Sequence, residues 1–217
     1  WTPDGSKLLL EQRTERGAIE LFWLDAQSGQ MTLFRTIERA GGQLSPQLSA
    51  DGKTLYLSVR ERPDQVQSVI ALDVASGQQR TLYKGTAQRG GLRRGIALSP
   101  DGRWLASVRR TQGLNSWELF LVPTGGGEPR TVAAYRDSGN DAAPVFSPDG
   151  KSVFLCRQPG ELTRIDLSTG VVESAGLNLR ELQSVQVHPS GRKIFFQAGQ
   201  GREEIWIAEN ILPRNGR

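Results

Sequence analysis

The sequence predicts an all-β fold built from repeated four-stranded antiparallel sheets. Three observations carry this. One short turn recurs five times at near-constant spacing. Each copy is followed by a strand-sized apolar run. Glycine and proline are frequent, at 25 and 11 of 217 residues, while no apolar stretch approaches the ~20 residues of a membrane-crossing helix.

The recurring turn reads apolar, Ser/Thr/His, Pro or Ala, Asp or Ser, Gly. Its copies are Trp1–Gly5, Leu48–Gly52, Leu98–Gly102, Phe146–Gly150 and Val187–Gly191, with glycines 47, 50, 48 and 41 residues apart. The residue types suit a tight hairpin. The hydroxyl bonds to the turn, proline presets φ, Asp tolerates the bridge region and Gly takes the left-handed conformation. A type I turn closed by Gly joins antiparallel strands.

The runs after the turns are Lys7–Leu10, Thr54–Val59, Trp104–Val108, Ser152–Cys156 and Lys193–Phe196, which read as strands buried on at least one face. A polar loop then leads to a third strand at Ile19–Leu24, Ser68–Leu72, Trp117–Val122, Leu162–Ile165 and Glu204–Ile207. Three units share a second turn, apolar-Asp-x-x-Ser/Thr-Gly, at Leu24–Gly29, Leu72–Gly77 and Ile165–Gly170, where one unit has Pro123–Gly127 instead. Met31–Phe34, Thr81–Tyr83, Thr131–Ala134 and Val171–Glu173 supply fourth strands.

A sheet of about 46 residues cannot bury both faces alone, and radial stacking of copies can. A two-sheet sandwich does not explain one turn at such regular spacing. The expected fold is therefore a β-propeller. Its repeat units are approximately 1–45, 46–94, 95–142, 143–183 and 184–217, about five blades in one domain. The end units are incomplete. Either they complete one another in a five-bladed ring, or the chain is a piece of a six- to eight-bladed propeller. The piece is the expectation.

The Ser-Pro-Asp-Gly-Lys/Arg turn with its apolar strand, best seen at Leu98–Ser107 and Phe146–Cys156, resembles the WD40-like PD40 repeat. That repeat builds the propeller of TolB and of prolyl-oligopeptidase-type peptidases. Ala50, His188 and Ser190 depart from its pattern. Ile205–Pro213 is similar to the endings of bacterial PD40 proteins whose propeller follows a winged-helix or kinase domain. The resemblance implies a periplasmic or extracytoplasmic, non-catalytic interaction module of TolB-like type. The alternatives are the sensory propeller of a longer bacterial regulator or kinase, and the propeller of a prolyl-oligopeptidase-like peptidase.

Composition narrows the chemistry. The single Cys156 excludes an internal disulfide and a cysteine-rich metal site, and the single His188 excludes a His cluster. A net charge of +4 is too small to imply nucleic-acid binding. There is no nucleophile elbow and no phosphate loop, and no helical pattern follows Gly125-Gly126-Gly127. No metal or cofactor is expected.

Strand order puts both turns of each unit on one face and the remaining loops on the other. The turn face carries Asp4, Asp25, Asp51, Asp73, Asp101, Asp149 and Asp166, which turn geometry explains without calcium. The other face is rich in arginine. The expected partner site there comprises Arg89, Arg93, Arg94, Arg109, Arg110, Arg136 and Asp141, with Arg157 nearby and Arg93 and Arg94 close to the channel mouth. Arginine's planar fork suits carboxylates, so a protein or a small acidic ligand is the expected partner. His188 is expected to be a structural turn variant and Cys156 a core thiol. The five tryptophans are expected to pack between blades.

Overall fold

A computed structural model describes the chain except for residues 16, 39, 42–43, 62–65, 86–91, 112–114, 137–142, 158–159, 189, 200–203 and 210–217. Among the described residues every regular element is a strand. The chain forms two compact units, residues 1–91 and 92–217.

The first unit holds two sheets. One is an antiparallel meander of β1 (Lys7–Arg13), β2 (Ile19–Asp25) and β3 (Met31–Ile37). In the other, β6 (Thr54–Glu61), β7 (Val66–Asp73) and β8 (Gln79–Lys84) follow an inner strand split into β4 (Ala40–Gly41) and β5 (Gln47–Leu48), both paired with β6. The split falls where Pro46 lacks an N–H and Ser45 has φ of 46°. Between the two sheets Ile19 and Leu21 pack with Leu55, Leu57 and Leu72.

The second unit holds three sheets. The third sheet of the chain runs β9 (Leu92–Leu98), β10 (Trp104–Arg110), β11 (Ser116–Pro123), β12 (Arg130–Arg136), in spatial as in chain order. The fourth runs β13 (Val145–Phe146), β14 (Ser152–Arg157), β15 (Glu161–Asp166), β16 (Val172–Asn178). The fifth has β17 (Leu182–Val187), β18 (Lys193–Ala198) and β19 (Glu204–Glu209).

Strand β14 shows why the central strands read as continuous apolar runs. Its side chains alternate by the two-residue period of a strand. Val153 and Leu155 join a core with Ala106, Leu119 and Leu121 of the third sheet. Phe154 and Cys156 join another with Leu182, Val185 and Ile194 of the fifth. A sheet covered on both faces has no polar side to show. Each such buried aliphatic side chain contributes roughly 1.5–3 kcal/mol.

The outer strands β3, β8, β12 and β16 are largely exposed. Tryptophan placement departs in part from expectation. Trp117 is buried, and Trp23 packs on Phe34 at 5.4 Å between ring centroids. Trp1 instead is 68% exposed.

Candidate functional site

The hairpin turns decide which acids remain available. In every copy the glycine N–H donates to the carbonyl of the Ser/Thr/His position, as from Gly102 to Ser99 at 2.9 Å and from Gly191 to His188 at 2.8 Å. The aspartate side chain is held by the turn itself. Asp101 Oδ1 accepts from the Ser99 hydroxyl at 2.6 Å and the Arg103 N–H at 3.1 Å. Asp51 and Asp149 repeat this arrangement. Asp4 accepts from Thr2 Oγ1 and from the N–H and hydroxyl of Ser6, which hold its carboxyl at about 2.

The second turn treats its acid alike. Asp73 Oδ1 accepts from the N–H and hydroxyl of Ser76, both at 2.7 Å. Asp166 takes four such bonds from Ser168 and Thr169, which lower its carboxyl well below the usual range. The two turns of a sheet are also joined by a backbone bond, from Val74 N–H to the Lys53 carbonyl and from Leu167 N–H to the Lys151 carbonyl. Where the third sheet lacks this Asp, the Thr124 hydroxyl bonds the carbonyls of Gly102 at 2.8 Å and Arg103 at 3.1 Å. At the fifth turn His188 Nδ1 lies 2.8 Å from the Ser190 hydroxyl and accepts the Ser190 N–H at 3.1 Å. The Arg192 N–H in turn donates to the Ser190 hydroxyl at 3.4 Å, so the turn is held by side chains of the same two positions without an Asp. His188 is a structural variant, as expected.

The opposite end of the sheets carries the arginines. Arg93 and Arg94 are successive residues of β9, with Arg93 paired to Val108. Arg109 and Arg110 close β10, and Arg136 closes β12. The fold thus brings Arg93, Arg94, Arg109, Arg110 and Arg136 to one end of the third sheet. Arg89 and Asp141 lie outside the described residues.

These arginines are not equivalent. Arg109 sits directly across from Glu118 in the β10–β11 register. Its Nε and Nη2 meet Glu118 Oε2 at 3.0 and 2.9 Å, Nη2 reaches Thr131 Oγ1 at 3.3 Å, and the guanidinium lies 4.9 Å from the Phe120 ring centroid. Arg157, at the end of β14, donates to the Arg136 carbonyl and lies 5.7 Å from the Tyr135 ring centroid, tying the fourth sheet to the third. Arg110 and Arg136 are exposed, and neither side chain has an ion-pair partner among the described residues.

Little supports covalent or metal chemistry. Burial pushes the Cys156 thiol up to about 12, so it is a core group and a poor nucleophile. Among the described residues no group of three or more His, Cys, Asp or Glu is placed to hold a metal. No helix among them is long and apolar enough to cross a membrane.

No protein-family profile and no curated protein sequence matches the chain. Solved structures do resemble it. TolB from Acinetobacter baumannii superposes with a TM-score of 0.76 at 18% identity, over 97% of this chain and 51% of that protein. A protein described as TolB from Agrobacterium tumefaciens gives 0.62 at 23% identity, over 83% of this chain and 62% of that one. A prolyl endopeptidase structure gives 0.62 at 14% identity, over 97% of this chain and 33% of its own. The chain thus spans about half the length of the first of these and under two thirds of the second. The fold is a β-propeller of the TolB type, built of antiparallel blades that are four-stranded where complete.

Proposed function

We propose that this chain is a non-catalytic interaction module, the five repeat units forming one domain of a six- to eight-bladed propeller. It takes a protein or a small acidic ligand at the loop end of its blades. One observation carries the reading. Each first-turn Asp gives an oxygen to its own turn, whereas the loop end of the third sheet gathers arginines of which Arg110 and Arg136 are exposed and have no ion-pair partner among the described residues. Arg89, Arg93, Arg94 and Asp141 complete the proposed site in sequence. Arg109 positions the patch through Glu118 rather than facing the partner. A rigid sheet carrying long loops is where binding residues gather. A net charge of only +4 lends no support to a nucleic-acid partner, and none is proposed. The resemblance to TolB-type repeats supports a periplasmic or extracytoplasmic location.

The test is fluorescence anisotropy of a labelled deca-glutamate peptide with the whole chain. Binding should weaken about tenfold in Arg110→Gln/Arg136→Gln, since an exposed ion pair is worth roughly 0.2–1 kcal/mol and the variant removes two. It should also fall with salt. Equal affinity of the double variant and the parent would remove the loop end from consideration.

A further inference from the structure

The third sheet breaks the repeat three times at its turn end, and the three departures meet in one place. The residue that opens the second strand is Lys7, Thr54, Ser152 or Lys193 in the other sheets and Trp104 here. The Asp that faces this position as Asp25, Asp73 or Asp166 is replaced by Pro123. The fourth strand opens with Arg130, whose guanidinium lies 5.8 Å from the Trp104 ring centroid.

Between these residues and the fourth sheet is a cleft of about 260 Å³, lined by Asp101, Trp104, Arg130, Phe146, Asp149 and Leu167 among others. Arg130 has no carboxylate within ion-pairing distance among the described residues. Asp101 and Asp149 use only Oδ1 in their turns, so each has its second oxygen unpartnered among the described residues. Both carboxyls are ionised at neutral pH. For Asp101 the Ser99 hydroxyl lowers its pKa. For Asp149 burial works the other way, and the Ser147 hydroxyl, the Lys151 N–H and nearby cations outweigh it.

The cleft therefore joins one free cation, two anions with unused acceptors and an apolar wall of Trp104, Phe146 and Leu167. A plain anion would meet two carboxylates. A plain cation would meet Arg130. A ligand carrying both charges and an apolar group satisfies every part. Its size is below that of a drug-sized pocket and suits a single amino acid.

We infer that this cleft between the third and fourth blades binds a zwitterionic, amino-acid-sized ligand with an apolar side chain. Its ammonium is held by Asp101 and Asp149, its carboxylate by Arg130, and its side chain lies against Trp104 and Phe146. This site stands apart from the loop end and does not depend on what binds there.

L-phenylalanine is the probe, titrated into the full chain and followed by NMR chemical shifts of the Trp104 indole. The dissociation constant should be on the order of a millimolar, as per-atom affinities of small ligands allow. N-acetyl-L-phenylalanine and L-phenylalanine amide, each lacking one charge, should bind about tenfold more weakly. Arg130→Gln should weaken the parent amino acid equally and leave the melting temperature unchanged. Arg110→Gln, at the far end of the sheet, should change nothing. Failure of the Trp104 signal to saturate, equal binding of all three compounds, or full affinity in Arg130→Gln overturns the assignment.

Discussion

At the turn end of the sheets one geometry repeats almost unchanged. Gly5, Gly52, Gly102, Gly150 and Gly191 have φ of 71, 72, 71, 69 and 67°, and Gly29, Gly77 and Gly170 have 70, 70 and 73°. At the loop end nothing repeats so closely. Of the three described non-glycine residues at positive φ, Asn115 and Glu181 lie there in differently built connections, and Ser45 sits in the gap of the split inner strand. The contrast has a physical basis. Each turn closes its own bonds within five or six residues, so any copy of the motif reproduces it. The loop end must be satisfied by whatever the neighbouring strands supply, and so it diverges. Polar groups at the turn end are therefore mostly engaged locally, while Arg110 and Arg136 at the loop end have no ion-pair partner among the described residues. The third sheet is the exception, where a missing Asp and an added Trp104 and Arg130 reopen the turn end.

The contrast breaks most visibly at Gly160, a loop-end glycine on which the fold depends heavily. A Cβ there would stand 1.9 Å from the Leu179 carbonyl oxygen, so Gly160→Ala should cost about 3 kcal/mol or more and lower the thermal midpoint by roughly 10 °C. Gly170→Ala, whose Cβ would stand 2.6 Å from the Val132 oxygen, should come next. Gly29→Ala has the same φ and nothing within 4 Å, so it isolates the backbone term at about 1 kcal/mol. Equal losses at Gly29 and Gly170 would show that inter-sheet crowding is not what constrains the second turn.

Removing a turn hydroxyl should cost less than a clash and more than a surface change. Ser99 is 5% exposed, accepts the Trp104 N–H at 2.9 Å and donates to Asp101, so Ser99→Ala should destabilise by roughly 1–3 kcal/mol in urea unfolding. Arg110→Gln at the other end should stay within about 0.5 kcal/mol. A reversal of that order would break the division between a structural end and the proposed binding end.

The smallest effect is acid sensitivity. The turn aspartates titrate below their ordinary 3.8 when folded, as Asp4 does at about 2 through its bonds to Thr2 and Ser6. The unfolded chain therefore takes up protons first as pH falls. Their contribution is complete above about pH 5, declines through the unfolded value and is gone below the folded one. Melting temperatures should be flat from pH 7 to 5 and drop between about 4 and 2. Replacing Asp4 and Asp25 with Asn should shallow that drop, and an unaltered slope would mean that other acids carry it.

The repeat, the strands and the structural roles of the turn acids, His188 and Cys156 were legible in the sequence. Each depends on neighbours a few residues away or on strand periodicity, which the chain states directly. The arginines were legible as a group and not as individuals. Arg109 is committed because strand register sets Glu118 across from it, and Arg157 because the third sheet offers it the Arg136 carbonyl and the Tyr135 ring. In the sequence Trp104 is like any other strand aromatic, and only the packing sets Arg130 5.8 Å from its ring centroid. Local order thus came from the sequence, since a turn closes on itself by short-range bonds and sterics. Which charges remain available was decided in three dimensions, since an ion pair or a stacked guanidinium depends on the register and packing of strands far apart in the chain.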